Sequence, residues 1–232
     1  MKNNKLLSKV YLALVFVILY APIFYLIFYS FNSGGTMIGF DGFTLEHYEL
    51  VLQDTRLLII VLNTVVIALL SAGIATIIGV MGALSIMYIK NMRAKNTMLS
   101  LNNVLIVSPD VIIGASFLIL FTMIGIKLGF TSVLLSHIAF GIPIVVIMVL
   151  PKLQEMSPTL VDAALDLGAS KFDVLRKVII PYITPGIFAG FFMALTYSLD
   201  DFAVTFFCYR EWLLNTVSRN LFSGAKRSIT AN

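Results

Sequence analysis

Five long apolar runs, none interrupted by lysine or arginine, constrain this chain more than any other feature. They cover about Val10–Phe31, Ile59–Ile89, Leu101–Gly125, Ser132–Leu150 and Tyr182–Cys208. Each can cross a hydrocarbon core of roughly 30 Å, which takes about 20 helical residues. The runs are continuous rather than alternating, which favours helices over a barrel. The fold class expected is therefore an all-α membrane protein, one transmembrane domain over residues 1–232. The chain is 59% hydrophobic and 12% charged, about half the usual charged fraction of soluble domains. The first run is too long for a signal-peptide core and no small-residue cleavage pattern follows it, so it reads as an uncleaved anchor.

Lysine and arginine set the sidedness. Lys2, Lys5 and Lys9, then Lys90, Arg93 and Lys95, then Lys152, Lys171, Arg176 and Lys177 fall on one side, the inside, with the N-terminus. The first outer loop carries Asp41, Glu46, Glu49 and Asp54 against Arg56 alone. The tail at 209–232 is outside by parity, yet holds Arg210, Arg219, Lys226 and Arg227. The net charge of +4 is mostly juxtamembrane and gives no reason to invoke nucleic acid. One cysteine, Cys208, excludes an internal disulfide and a Cys-rich metal site. His47 and His137 stand apart, and His137 reads as a packed or pore-side polar group before a ligand.

The inner segment 151–181 has internal structure. Ser157 precedes Pro158 at a helix start. Leu160, Ala163, Ala164 and Leu167 share a face, and Gly168 supplies a turn. A second short helix presents Phe172, Leu175, Val178 and Ile179, and Pro181 and Pro185 are expected to end it and start the fifth span. Taken alone, this is a helix pair lying against lipid headgroups.

Three carboxylates lie inside the spans: Asp110, Asp200 and Asp201. No span offers a clear basic partner at similar depth. A charge near the bilayer centre costs from about 3 kcal/mol upward, so such groups usually face a water-filled cavity or the helix interior. On a continuous fifth helix, Gly186, Gly190, Ala194 and Ser198 form a small-residue stripe. Asp201 falls inside that stripe and Asp200 at its edge, roughly 27 Å along the helix, with the phenylalanines opposite. Asp110 lies roughly 14 Å into the third span. In the second span, Ser71, Ala75, Gly79 and Ala83 repeat the small spacing, for packing against a neighbouring helix or a partner subunit.

The inner segment resembles the EAA loop of ABC importer permeases: Asp162-Ala163-Ala164, three residues, Gly168, nine residues, then Val178, Ile180 and Pro181. Asp replaces Glu, Val replaces Ile and Ile replaces Leu. The resemblance implies a type I ABC importer permease-like helix bundle, with 151–181 as its cytoplasmic coupling-helix loop docked on a separate ATPase dimer. Asp162, Ala163, Ala164, Gly168 and Pro181 would be the coupling residues. No G-x-x-x-x-G-K-[ST] is present, so the chain is expected not to be an enzyme, with no catalytic residue, metal site or cofactor of its own, and ATP and Mg²⁺ on the partner.

The stretches "SLDDFAVTFF", "SPDVIIGASFLILF" and "GFTLEHYELVLQD" are similar to the spermidine/putrescine type, C subunit. That resemblance implies a polyamine path through Asp110, Ser198, Asp200 and Asp201, with Tyr48 near the mouth. It also implies a second permease subunit, an extracytoplasmic polyamine-binding protein, a bacterial inner membrane and six spans, one more than the sequence offers. The alternatives are a permease for another solute, such as ferric ion or thiamine; a proton-coupled secondary transporter; and a non-transporting membrane interaction subunit.

Overall fold

A computed structural model describes residues 2–35 and 37–209. The outer tail expected at 209–232 lies, apart from Tyr209, outside the described residues. The chain divides into two compact units, Met1–Leu62 and Asn63–Asn232.

In the first unit, helix α1 runs over Lys2–Tyr29 and α2 over Glu46–Gln53. Within α1, Ser8–Tyr29 is long and apolar enough to cross a membrane. The connection to α2 is built on the buried Asn32. Its Nδ2 donates to the Gly39 carbonyl at 2.8 Å, its Oδ1 accepts from the Asp41 N–H at 2.7 Å, and its carbonyl lies 2.9 Å from His47 Nε2. Phe31 stacks with Phe43 and Tyr48, each ring centroid 5.4 Å away.

In the second unit, the greater part of α3 (Thr55–Tyr88) is followed by α4 (Met92–Val107), α5 (Asp110–Met123), α6 (Phe130–Glu155), α7 (Pro158–Asp166), α8 (Lys171–Val174) and α9 (Ile180–Asp200). Helix α6 is the centre: 61% of its apolar window is buried, against 28% for the span Lys171–Asp200. The small residues explain how its neighbours come so close. A Cβ at Gly79 would lie 2.6 Å from Val145 Cβ, and one at Gly190 would lie 3.2 Å from Val145 Cα. Val145 of α6 therefore fills a hollow with glycine on the α3 side and glycine on the α9 side. A Cβ at Gly141 would meet Ala75 Cβ at 2.9 Å. Both small stripes anticipated from sequence are contact surfaces within the same chain, mostly onto α6, with Ser71 meeting Ser198 of α9.

Four helix boundaries differ from those expected. The third span is a bent pair, with α4 and α5 at 106°. Pro109 drives Ser108 into an extended conformation, ψ 138°. Ser108 Oγ donates to the Val104 carbonyl at 2.6 Å, satisfying an acceptor at the end of α4. Asp110 is thus the first residue of α5, not the middle of a straight helix. The fifth span also breaks: α9 ends at Asp200, Asp201 is extended with ψ 120°, and helix resumes over 203–209. Conversely, Pro181 and Pro185 interrupt nothing. A π turn at Leu175–Ile179 joins α8 directly to α9, and the Ile180 N–H reaches back to the Leu175 carbonyl. This wider turn immediately precedes Pro181, whose ring would otherwise clash with the carbonyl four residues back. At the start of the inner segment, α6 continues through Pro151 to Glu155.

Candidate functional site

A cleft of about 380 Å³ opens in the second unit. Asp110 of α5, Asp200 at the end of α9, and Asp201 beyond it all line the cleft, together with Thr196 and Tyr197. Leu105, Ile113, Phe140 and Ile144 supply apolar wall, and among the described residues neither lysine nor arginine lines it. The two breaks in the spans bring the acids here: one places Asp110 at the head of α5, and the other separates the roles of the adjacent aspartates.

Asp200 is exposed and, among the described residues, carries no hydrogen bond or ion pair; Asp110 is in the same condition. Asp201 is different, its side chain only 7% exposed. It caps the helical turn that follows, accepting from Val204 N–H on Oδ1 at 3.1 Å and from Thr205 N–H on Oδ2 at 2.8 Å. The Thr205 hydroxyl also donates to Oδ2, at 2.9 Å.

Asp201 has a basic partner that the sequence did not reveal: His137 Nε2 of α6 stands 3.4 Å from Oδ2. The other ring nitrogen, Nδ1, is 2.6 Å from Ser198 Oγ, and Ser198 Oγ is 3.1 Å from Ser71 Oγ of α3. Ser198 is thus buried in a helix–helix contact and does not line the cleft, although the sequence placed it with the acids. Tyr48 belongs to the first unit, where its hydroxyl pairs with Ser30 Oγ at 2.6 Å. Thr196, Tyr197 and Thr205 were not anticipated at the site, and His137, read as a packed or pore-side polar group, was not paired with an acid. For His137 a signal existed: an ionisable group within a span is by default functional, with an acid as its natural partner.

The residues expected to couple to an ATPase lie elsewhere on the second unit. Ser157 and Pro158 open α7 as expected. Gly168 closes it at φ +83°, with Leu167, Gly168 and Ala169 N–H groups bonded back to the Ala163, Leu165 and Ala164 carbonyls. The apolar face is split differently from the sequence reading. Val161 and Ala164 pack onto the core, while Leu160, Ala163 and Leu167 are turned out, Leu167 being 89% exposed. Asp162, Gly168 and Pro181 are exposed as well. Nothing lies within 4 Å of an added Cβ at Gly168, so Gly168→Ala would pay only for the left-handed backbone. The expected loss is about 1 kcal/mol, seen as faster amide exchange across α7 and α8.

Residues 75–213 match the family model of binding-protein-dependent transport system inner membrane components. The chain belongs to this family. It is a multi-pass inner-membrane permease component. It is 38% identical over 204 residues to the spermidine/putrescine transport system permease protein PotC of Escherichia coli (strain K12), covering 88% of this chain and 77% of that relative. The PotC permease of Haemophilus influenzae is 34% identical over 201 residues, covering 87% and 78%. The putrescine transport system permease protein PotI of Escherichia coli (strain K12) is 31% identical over 204 residues, covering 85% and 73%. In this permease, the acidic cleft and the α7–α8 knob are built on opposite ends of α9, since Asp200 terminates that helix and the π turn precedes it.

Proposed function

We propose that this permease is the membrane subunit of an ATP-driven importer of polyamines. The observation that carries the reading is the cleft with three carboxylates and, among the described residues, no basic side chain in its lining, in a chain similar to spermidine/putrescine permeases. A polyamine is a flexible chain of ammonium groups joined by methylenes. Carboxylates pair with the former through charge-assisted hydrogen bonds. The walls of Ile113, Phe140 and Ile144 suit the latter, and the Tyr197 ring can face a cation. A ferric cargo has less support, because among the described residues no three acidic, histidine or cysteine side chains gather tightly enough to hold one metal ion.

The partners follow from the same reading. A dimeric ATPase would grip the outward row Leu160, Ala163 and Leu167 on α7, with Asp162 beside it and Gly168 as the elbow. A second permease would complete the path, an extracytoplasmic binding protein would deliver cargo, and the N-terminus would lie in the cytoplasm. ATP binding would drive the knob, rocking the helices between outward-open and inward-open cleft.

The test is reconstitution of the full complex in proteoliposomes with labelled spermidine and putrescine. Uptake is expected to need ATP and to persist when the proton gradient is collapsed. Leu167→Glu should abolish uptake and cargo-stimulated ATP hydrolysis while spermidine binding remains. Uptake driven by a proton gradient without the ATPase, or no polyamine uptake at all, would refute the proposal.

A further inference from the structure

We infer that His137 is a positioning residue for the cleft: from behind Asp201 it holds the Thr205 hydroxyl and the Oδ2 side of the carboxylate in place, so that Oδ1 is left for a cationic cargo. The inference rests on the polyamine reading for the nature of that cargo. The two carboxylate oxygens of Asp201 have unequal company. Oδ2 takes the Thr205 N–H and the Thr205 hydroxyl, at 2.8 and 2.9 Å, and His137 Nε2 stands behind them, 3.2 Å from that hydroxyl and 3.4 Å from Oδ2. Among the described residues Oδ1 accepts only the Val204 N–H, at 3.1 Å. A carboxylate offers about four acceptor sites over its two oxygens, so Oδ2 is fully engaged and Oδ1 retains room for an ammonium.

The ring approaches Asp201 from behind. His137 is 3% exposed and absent from the cleft lining, whereas Asp201 lines it. Any effect of His137 on cargo therefore passes through Asp201. The ring itself is fixed by its second nitrogen, 2.6 Å from Ser198 Oγ, which Ser71 Oγ meets at 3.1 Å. A hydrogen bond on one ring nitrogen sets what the other presents, so the chain Ser71–Ser198–His137 delivers a defined Nε2 to Asp201 and Thr205. The cleft thus presents Asp110 and Asp200 whole, and Asp201 by one oxygen.

Two amide substitutions separate this role from a purely structural one. In His137→Gln the amide reaches about as far as Nε2 and can still bond Asp201. In His137→Asn it reaches only about as far as Nδ1 and can bond Ser198. Both are polar and no larger than imidazole, so both fill the core comparably. In the reconstituted complex, His137→Asn should raise the KM for labelled spermidine about tenfold, the worth of one hydrogen bond to a charged group, with little change in kcat. His137→Gln should restore most of the wild-type KM, and the difference between the two should vanish in an Asp201→Asn background. Equal KM values for the two variants, or a worse one for Gln, would overturn the inference and leave His137 an anchor for Ser198. Amide exchange over 203–209 reads the same contact without cargo: it should be faster in His137→Asn than in His137→Gln, and equal rates would equally overturn it. A wild-type complex that fails to import polyamine would instead remove the cargo assignment, while the exchange comparison still decides the hold on Asp201.

Discussion

Asp200→Lys should abolish polyamine uptake while leaving the protein folded and in the membrane. Asp200 is exposed and has no internal partner among the described residues, so its replacement removes no packing or hydrogen bond from the fold. Function is another matter, because the side chain lines the acidic cleft together with Asp201 and Asp110. The lysine removes one ion pair with cargo and installs a like charge facing it. Loss of a hydrogen bond to a charged group is worth about 2 kcal/mol. Repulsion at contact distance adds about as much even under strong dielectric screening. Together these exceed a hundredfold in kcat/KM. Asp200→Asn removes only the attraction and should lie between, about thirtyfold. Uptake kinetics in proteoliposomes, with membrane level checked by immunoblot, give the comparison. Wild-type KM in the lysine variant would exclude Asp200 from the cation path.

Gly79→Leu should have the largest effect on stability. The first added atom already lies 2.6 Å from Val145 Cβ, 2.8 Å from its Cγ1 and 3.1 Å from the Ile142 carbonyl. Val145 cannot retreat, because its Cα and Cγ1 are each 3.2 Å from where a Cβ would stand on Gly190. Overpacking a filled core costs about 1–3 kcal/mol and sometimes more. With backbone on two sides of the clash, the upper end of that range applies. The thermal midpoint of the detergent-purified complex should fall, or the chain should disappear from the membrane. Gly79→Ala should lose less stability in a Val145→Gly background, which removes both the Cβ at 2.6 Å and the Cγ1 at 2.8 Å, than in the wild type. An equal loss in both would mean that Val145 is not the obstruction.

The apolar runs located the helices because a bilayer leaves few other solutions for the backbone. The stripes Ser71–Ala83 and Gly186–Ser198 were legible for the same kind of reason: small residues at four-residue spacing bury well against a neighbour. The placement of the acids was harder. A helical wheel assumes an unbroken rotation of about 100° per residue, and it put Asp201 and Ser198 on one face. The chain breaks between Asp201 and helix 203–209, so the two separate: Ser198 goes to the α6 contact and Asp201 to a cap. No proline or glycine marks that break, only a short polar residue able to satisfy free N–H groups. Pro109 did mark the other break. Its consequence, a 106° turn placing Asp110 at the head of α5, depends on tertiary packing that no local pattern records. The π turn was hidden for a related reason, since Pro181 reads as a terminator unless the preceding turn widens to accept it.

That widened turn gives α9 the mechanics of a lever. The helix runs from Ile180 to Asp200, about 30 Å at 1.5 Å per residue, with the compliant joint at one end and the cleft acids at the other. A tilt of about 5° at Leu175–Ile179 would swing the far tip through roughly 3 Å, the length of a hydrogen bond. The arm need not bend or melt to make or break a contact with a bound amine; it need only pivot.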